Sequence, residues 1–291
     1  NRRGDGLDAH PLAARATDRP LGIVPEGVRF LTAFVDVQNT RFELLVRGWG
    51  EAGESWIIDV RRIVADTAVS PGAWDDLLTG LLERTYPLAD GSGRGMRLRA
   101  IGYDSGGAPG VTQQAYAAWR RLRVSRKARF LGKADGRDVW NVMPAKGLSG
   151  PNAARLQVVY PTSKRKDRDA RATGAEPLIQ FNPGAFKDDL AGQLACAEPG
   201  PWYVDHPAVL RGEWPDPPTP GADAIRHAWF EQIVAERQDH RGRWLRVSEG
   251  APNEALDQHV GCHVLADLHG LARIKWDRPP SWAAPWDTNT Y

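Results

Sequence analysis

The sequence predicts a mixed α/β fold, one sheet of antiparallel and parallel strands flanked by helices, from three observations. Three apolar, β-branched runs follow one another across short turns between residues 31 and 64. Strand-like and helical patterns then alternate between residues 71 and 132. The composition, 42% hydrophobic and 25% charged over 291 residues, is that of a globular chain long enough to bury a substantial core.

The elements follow in order. LTAFVDVQ (31–38), RFELLVRGWG (41–50) and ESWIIDVRRIV (54–64) are separated by QNT and EAGE and read as an antiparallel meander. PGAWDDLLTGLLERTY (71–86) sets Trp74, Leu77, Leu78, Leu81 and Leu82 at helical spacing, with Pro71 suited to the first turn. MRLRAIGYDSGG (96–107) reads as a strand that stops at Asp104 before two glycines. VTQQAYAAWRRLR (111–123) reads as a helix and ARFLG (128–132) as a short strand. The order β-β-β-α-β-α-β gives a mixed sheet covered by helices. Residues 133–183 read as irregular around a strand-like run, RLQVVYP (155–161). GAFKDDLAGQLACA (184–197), DAIRHAWFEQIVAERQ (223–238) and PNEALDQHVGCHVLADLHGLAR (252–273) read as helices. The expected organisation is a polar, extended leader or linker over 1–28, a domain over 29–273, and a Pro- and Trp-rich extended tail over 274–291. Trp276, Trp282 and Trp286 of that tail are expected to cover a groove or dock onto a partner.

Several classes are excluded. No run of about 18 apolar residues is present to span a membrane. The first residues, NRRGDGLDAH, have neither the apolar stretch of a signal peptide nor an initiator Met, which fits a fragment. Cys196 and Cys262 cannot build a disulfide framework or a four-thiolate zinc site, and they fit a reducing, cytoplasmic setting. There is no GxxxxGK[ST] loop to cradle ATP and no GxSxG elbow, since Ser105 has glycines only on its C-terminal side. His259 and His263 are four apart, but no glutamate follows the first and no third ligand is evident, so packing or polar surface is the better reading than zinc.

Three acids stand out by position. Asp36 ends the first strand, Asp104 ends the strand after the first helix, and Asp257 lies in the first turns of the last helix. If the two strands are neighbours, both carboxylates leave the sheet at one edge, and the helix N-terminus can add the third. Three converging carboxylates cannot all stay ionised without a cation. Mg²⁺ and Mn²⁺, which prefer oxygen ligands, are the natural counter-charge, and a pair of such ions supports phosphodiester cleavage. Each acid also has a plainer reading as a turn former, helix cap or solvated charge. Glu254, one turn before Asp257, reads as a helix N-terminal charge, and Asp59 is an alternate at the same edge.

Net charge is only +2, but 31 of the 38 basic residues are Arg. Arg120, Arg121, Arg123, Arg126, Lys127 and Arg129 form one basic stretch, followed by Lys133 and Arg137. Lys164, Arg165 and Lys166, with Arg168 and Arg171, form a second. Such runs are usually solvated faces; in an enzyme that acts on DNA, both become candidates for a surface that contacts phosphates.

The blocks PLGIVPEGVRFLTAFVDVQNTRFELLVRGWG (20–50), ESWIID (54–59), YDSGG (103–107), FEQIVAE (230–236) and PNEALDQHVGCHVLA (252–266) resemble, in order, the nuclease domain of the lambda-type (GpA) phage terminase large subunit. Pro252 departs from the Arg that commonly precedes Asn-Glu there. The resemblance implies an RNase H-like fold and a Mg²⁺- or Mn²⁺-dependent endonuclease that cuts concatemeric double-stranded viral DNA during packaging. It carries family roles to Asp36, Asp104 and Asp257, with Asp36 bridging two ions and the other two acids each holding one. It further implies an upstream packaging ATPase domain, a small terminase subunit as partner, and contact of the C-terminal tail with the capsid portal. Two alternatives stay open: a non-catalytic DNA-binding packaging module of this fold, and an RNase H-like resolvase or ribonuclease.

Overall fold

A computed structural model describes residues 7–107, 109–150, 153–162, 174–211 and 229–291. The predicted meander forms as β1 (Phe30–Gln38), β2 (Arg41–Trp49) and β3 (Ser55–Val64), paired antiparallel in sequence order. Helix α2 (Pro71–Glu83) follows, with Ser70 capping the amide of Ala73 and Pro71 in the first turn. The short β4 (Thr85–Pro87) leads into β5 (Gly95–Asp104), which lies parallel to β1. Helix α3 (Val111–Val124) then returns the chain to the start of the next sheet strand.

That next strand is a correction to the sequence reading. Residues Phe130–Ala134 (β6) pair with Arg137–Trp140 (β7) in a separate hairpin. The strand parallel to β5 is instead β8 (Val142–Gly147). The strand-like run expected at 155–161 forms β9 (Leu156–Val159), and the stretch read as irregular also supplies β10 (Leu178–Phe181), antiparallel to β9 and parallel to β8. β8 and β10 are six and four residues long, and Pro144 interrupts β8, so their periodicity is too short to register.

Helix α4 (Pro183–Ala195) is capped by Asn182, which accepts from the amides of Gly184 and Ala185. β11 (Val204–Asp205) adds to β3. The helix expected over 223–238 is helical among its described residues only at Trp229–Ile233 (α5). Its end is the first strand of a small hairpin, β12 (Glu236–Gln238) with β13 (Trp244–Arg246). The last helix, α6, is Glu254–Leu268, shorter than expected because Gly270 adopts a positive φ beyond it.

Among the described residues the main sheet has nine strands in the order β11-β3-β2-β1-β5-β8-β10-β9, with β4 on β5. Helices cover both faces. Phe34, Leu45 and Trp49 pack under α6 and α4, while Val35, Leu44 and Val46 pack under α2 and α3. Central strands therefore read as continuous apolar runs rather than alternations, the expected pattern for a sheet buried on both sides. Gly261 lets α6 lie directly on β1, since a Cβ there would fall 2.1 Å from the Phe34 ring.

The segments flanking the sheet are packed too. Part of the predicted extended leader is helical, Ala9–Ala14 (α1), and Leu12 is buried. In the C-terminal segment Trp282 stacks edge-on against Phe30, and Trp286 donates to the Val28 carbonyl. These tryptophans thus cover a groove of this domain. Among the described residues no helix is long and apolar enough to cross a membrane.

Candidate active site

The register of β1 and β5 places the first two acids together. Val35 pairs with Tyr103, so Asp36 and Asp104 are the next residues out at the same sheet edge. Alternation puts both on the face covered by α6, as Phe34 and Gly102 two residues earlier contact Gly261 and Leu265 of that helix. Asp36 is 9% exposed, and its Oδ2 accepts from the Gln38 amide at 2.6 Å. Burial pushes its carboxyl up to about 8, opposed by the Gln38 hydrogen bond and reinforced by the charges of Asp257, Asp104 and Glu254. Burial also raises Asp104, against the amides of Gly106 and Ser105 and the charge of Lys146.

Asp257 comes to this edge on the first turns of α6. The 40% exposed Asp257 side chain lies 3.4 Å from Lys187 Nζ of α4. The same ammonium donates to both oxygens of Glu236 at 2.8 Å. Asn253 ties the group together, donating to Glu236 Oε1 at 2.7 Å and Asp257 Oδ2 at 3.0 Å while accepting from Arg246. Packing raises the Asp257 carboxyl, Lys187 pulls it down, and Glu236 pushes it up. Sequence reading missed Lys187, Glu236 and Asn253; the capping position of Asn253 before α6 was the available signal.

A hard divalent cation suits this donor chemistry. Asp36 and Asp104 are adjacent, largely buried carboxyls, both raised above their ordinary range by burial. Asp257 is within electrostatic reach of Asp36 but is engaged by Lys187. Among the described residues no group of three His, Cys, Asp or Glu side chains is gathered closely enough to hold a metal ion. The fit therefore rests on the Asp36–Asp104 pair, with Asp257 beside it and facing Lys187.

The other candidates separate clearly. Glu254 stands at the edge, accepting from Arg41, which also holds the fully buried Glu43 opposite Asp36. Asp59 does not join them; it binds Arg61 and the Tyr86 hydroxyl. His259 and His263 are buried packing residues. His259 Nε2 lies 3.2 Å from His206 Nε2, and burial lowers both His259 and His263. Ser105 donates to the Ala145 carbonyl. A cleft of about 910 Å³ reaches Lys187 and Glu236 but is not lined by the three acids.

The first basic stretch is not at this edge. Helix α3 runs away from Asp104, and the Arg129 amide donates to Asn141 Oδ1 while its carbonyl accepts from the Asn141 amide, just before β8. Asp104 pairs with Ala145 at the opposite end of that strand. At about 3.3 Å per residue the levels of Asn141 and Ala145 are roughly 13 Å apart. Arg120, Arg121 and Lys127 are paired with Glu176, Asp75 and Glu83. Arg123 stacks over Trp140, and Arg126 and Arg129 are exposed. Lys164, Arg165 and Lys166 lie outside the described residues. The exposed cation beside Asp104 is Lys146, at the end of β8.

The family model described as terminase large subunit gpA, endonuclease domain, matches residues 1–276. The chain belongs to that family. The domain is 36% identical over 284 residues to the terminase large subunit of Escherichia phage lambda, covering 94% of this chain and 37% of that protein. It is 26% identical over 261 residues to the terminase large subunit of Enterobacteria phage P21, covering 87% of this chain and 34% of that protein. This terminase domain thus spans about a third of the length of those relatives. Among solved structures, a mutant nuclease domain of the large terminase subunit gp2 of bacterial virus Sf6 with manganese aligns at a TM-score of 0.38. Its identity is 11%, over 88% of this chain and 97% of that one.

Proposed function

We propose that this terminase domain is a metal-dependent endonuclease that hydrolyses phosphodiester bonds of concatemeric double-stranded DNA. The observation that carries the reading is the side-by-side exit of Asp36 and Asp104 from parallel strands, with both carboxyls raised by burial. Asp36 and Asp104 would hold Mg²⁺ or Mn²⁺, and Asp257 would complete a two-ion set. Divalent ions there would supply a water of lowered pKa and stabilise charge developing on the phosphate. The chain's own part is positional. The β1–β5 pairing fixes two acids, Gly261 seats α6 so that the third approaches, and Lys146 offers a cation to the DNA backbone.

Cleavage would leave a 5′-phosphate and a 3′-hydroxyl. The wider assembly, an upstream packaging ATPase, a small terminase subunit and portal contact through residues 275–291, belongs to the same proposal. The basic residues Arg120, Arg121, Arg123, Arg126, Lys127 and Arg129, with Lys164, Arg165 and Lys166, would serve as outlying phosphate contacts. A plasmid-nicking assay with Mn²⁺, Mg²⁺ and EDTA tests the reading. Nicking is expected with either ion, none with EDTA, and none from Asp36→Asn or Asp104→Asn protein that still binds DNA. Unchanged nicking by both variants refutes the site.

The engagement of Asp257 by Lys187 favours a second reading, a DNA-binding packaging module without catalysis. It predicts DNA affinity with no cutting at any Mn²⁺ concentration.

A further inference from the structure

The acidic edge is backed by a side chain that the carboxylate reading leaves unused. Gln258 is fully buried, and neither its amide nitrogen nor its amide oxygen has a hydrogen-bond partner among the described residues. Burying a carboxamide without partners is costly, so its position calls for a reason.

The contacts of α6 give Gln258 its level along β1. Gly261 sits on the Phe34 ring, and Cys262 Sγ approaches the Leu45 carbonyl of β2 at 3.5 Å. At the other end of the helix, Glu254 accepts from Arg41, the cross-strand partner of Gln38. Gln258 lies one turn from Glu254 and one turn from Gly261 and Cys262, on the stripe that faces the sheet. It therefore stands between the levels of Phe34 and Gln38, which is the level of Asp36. Across the hairpin from Asp36, the fully buried Glu43 keeps a second unpartnered atom, Oε2. Unused hydrogen-bonding capacity thus flanks Asp36 from β2 and from α6.

We propose that Gln258 is a positioning residue of the acidic site, whose carboxamide, with Glu43 Oε2, holds the water shell of a divalent cation bound at Asp36. The chemistry matches. Water on a divalent cation is a strong donor that needs acceptors, which the amide and carboxylate oxygens supply. The amide N–H groups remain to orient the Asp36 carboxylate. The inference rests on the metal-dependent reading above.

The test is Mn²⁺ binding to the whole chain, by calorimetry and by water-proton relaxation from the bound ion. Gln258→Leu and Gln258→Met remove the polar atoms at similar volume. Both are expected to weaken Mn²⁺ binding by about tenfold or more. Both should alter the relaxation signal and leave the metal-free thermal midpoint unchanged or higher, since an unpartnered buried amide is lost. A merely structural glutamine predicts a lower midpoint with unaltered binding. That result, or failure of both variants to fold, overturns the proposal. If the unsubstituted chain binds Mn²⁺ and the variants bind it equally well, the inference alone falls. If the unsubstituted chain does not bind Mn²⁺, the metal-dependent reading falls with it.

Discussion

Lys187 Nζ lies 3.4 Å from Asp257 Oδ1 and 2.8 Å from each carboxylate oxygen of Glu236, so α4 supplies the cation for an acid that α6 brings to the site. The Lys187 and Glu236 side chains are 9% and 8% exposed. Removing one partner of a buried pair leaves uncompensated charge, which costs about 3–5 kcal/mol. Lys187→Met should lose stability of that order at pH 8, measured by urea unfolding. The loss should shrink at acid pH, which neutralises carboxyl groups. A penalty independent of pH would show that lost packing, not lost charge, is responsible.

Asp36 should make the metal-free protein less stable as pH rises. Its folded carboxyl titrates at about 8, well above the ordinary 3.8. Between those values the native state keeps a proton that the unfolded state has released, so stability falls with rising pH across that window. Below it both states are protonated and the group contributes nothing. Asp36→Asn should therefore match the unsubstituted chain near pH 4 and exceed it progressively up to pH 8, by thermal denaturation in EDTA. The same substitution should cut nicking by at least about a hundredfold. Added Mn²⁺ should raise the midpoint of the unsubstituted chain more at pH 8 than at pH 6, because binding a cation at Asp36 displaces the proton.

Much of this fold is legible in the sequence. The meander, α2, β5 and α3 carry strong periodicity or long apolar runs, and the strand-terminal positions of Asp36 and Asp104 gave the edge directly. What failed did so for physical reasons. β8 enters the centre of the sheet as a six-residue strand interrupted by Pro144, so nothing local distinguishes it from a loop. ARFLG looked more like a strand and is one, but in a side hairpin. Lys187 and Glu236 are 49 residues apart and meet only through tertiary packing. Charge density along the chain pointed to α3, whereas the cation beside Asp104 is the isolated Lys146.

Lys146 and the α3 cations should therefore contribute unequally to DNA binding. Lys146→Ala should weaken binding of a 12-base-pair duplex and lower the salt slope by about 0.9, the value of one phosphate contact. Joint replacement of Arg126 and Arg129 by Ala, which lie toward the far end of β8 from Asp104, should leave the affinity and salt slope for that duplex nearly unchanged. Equal effects on the short duplex, read by fluorescence anisotropy across a salt series, would place the DNA path over α3 instead.

The seating of α6 on β1 should be the most sensitive packing contact near the site. A Cβ at Gly261 would lie 2.1–2.4 Å from three atoms of the Phe34 ring. The ring is held between β1 and the helix, with Phe34 only 4% exposed, so it cannot swing away. Gly261→Ala must therefore lift α6, costing about 1–3 kcal/mol by overpacking. Because Glu254, Asp257 and Gln258 ride on the same helix, Mn²⁺ binding and nicking should fall with it. Gly192 in α4 is the control: nothing lies within 4 Å of a Cβ there, and its φ is ordinary. Gly192→Ala should stabilise by about 0.5–1 kcal/mol through helix propensity alone. Urea unfolding of the two variants, followed by Mn²⁺ titration, decides the point. If Gly261→Ala matches Gly192→Ala in stability and metal affinity, α6 is not clamped to β1, and its acids need not move as a unit.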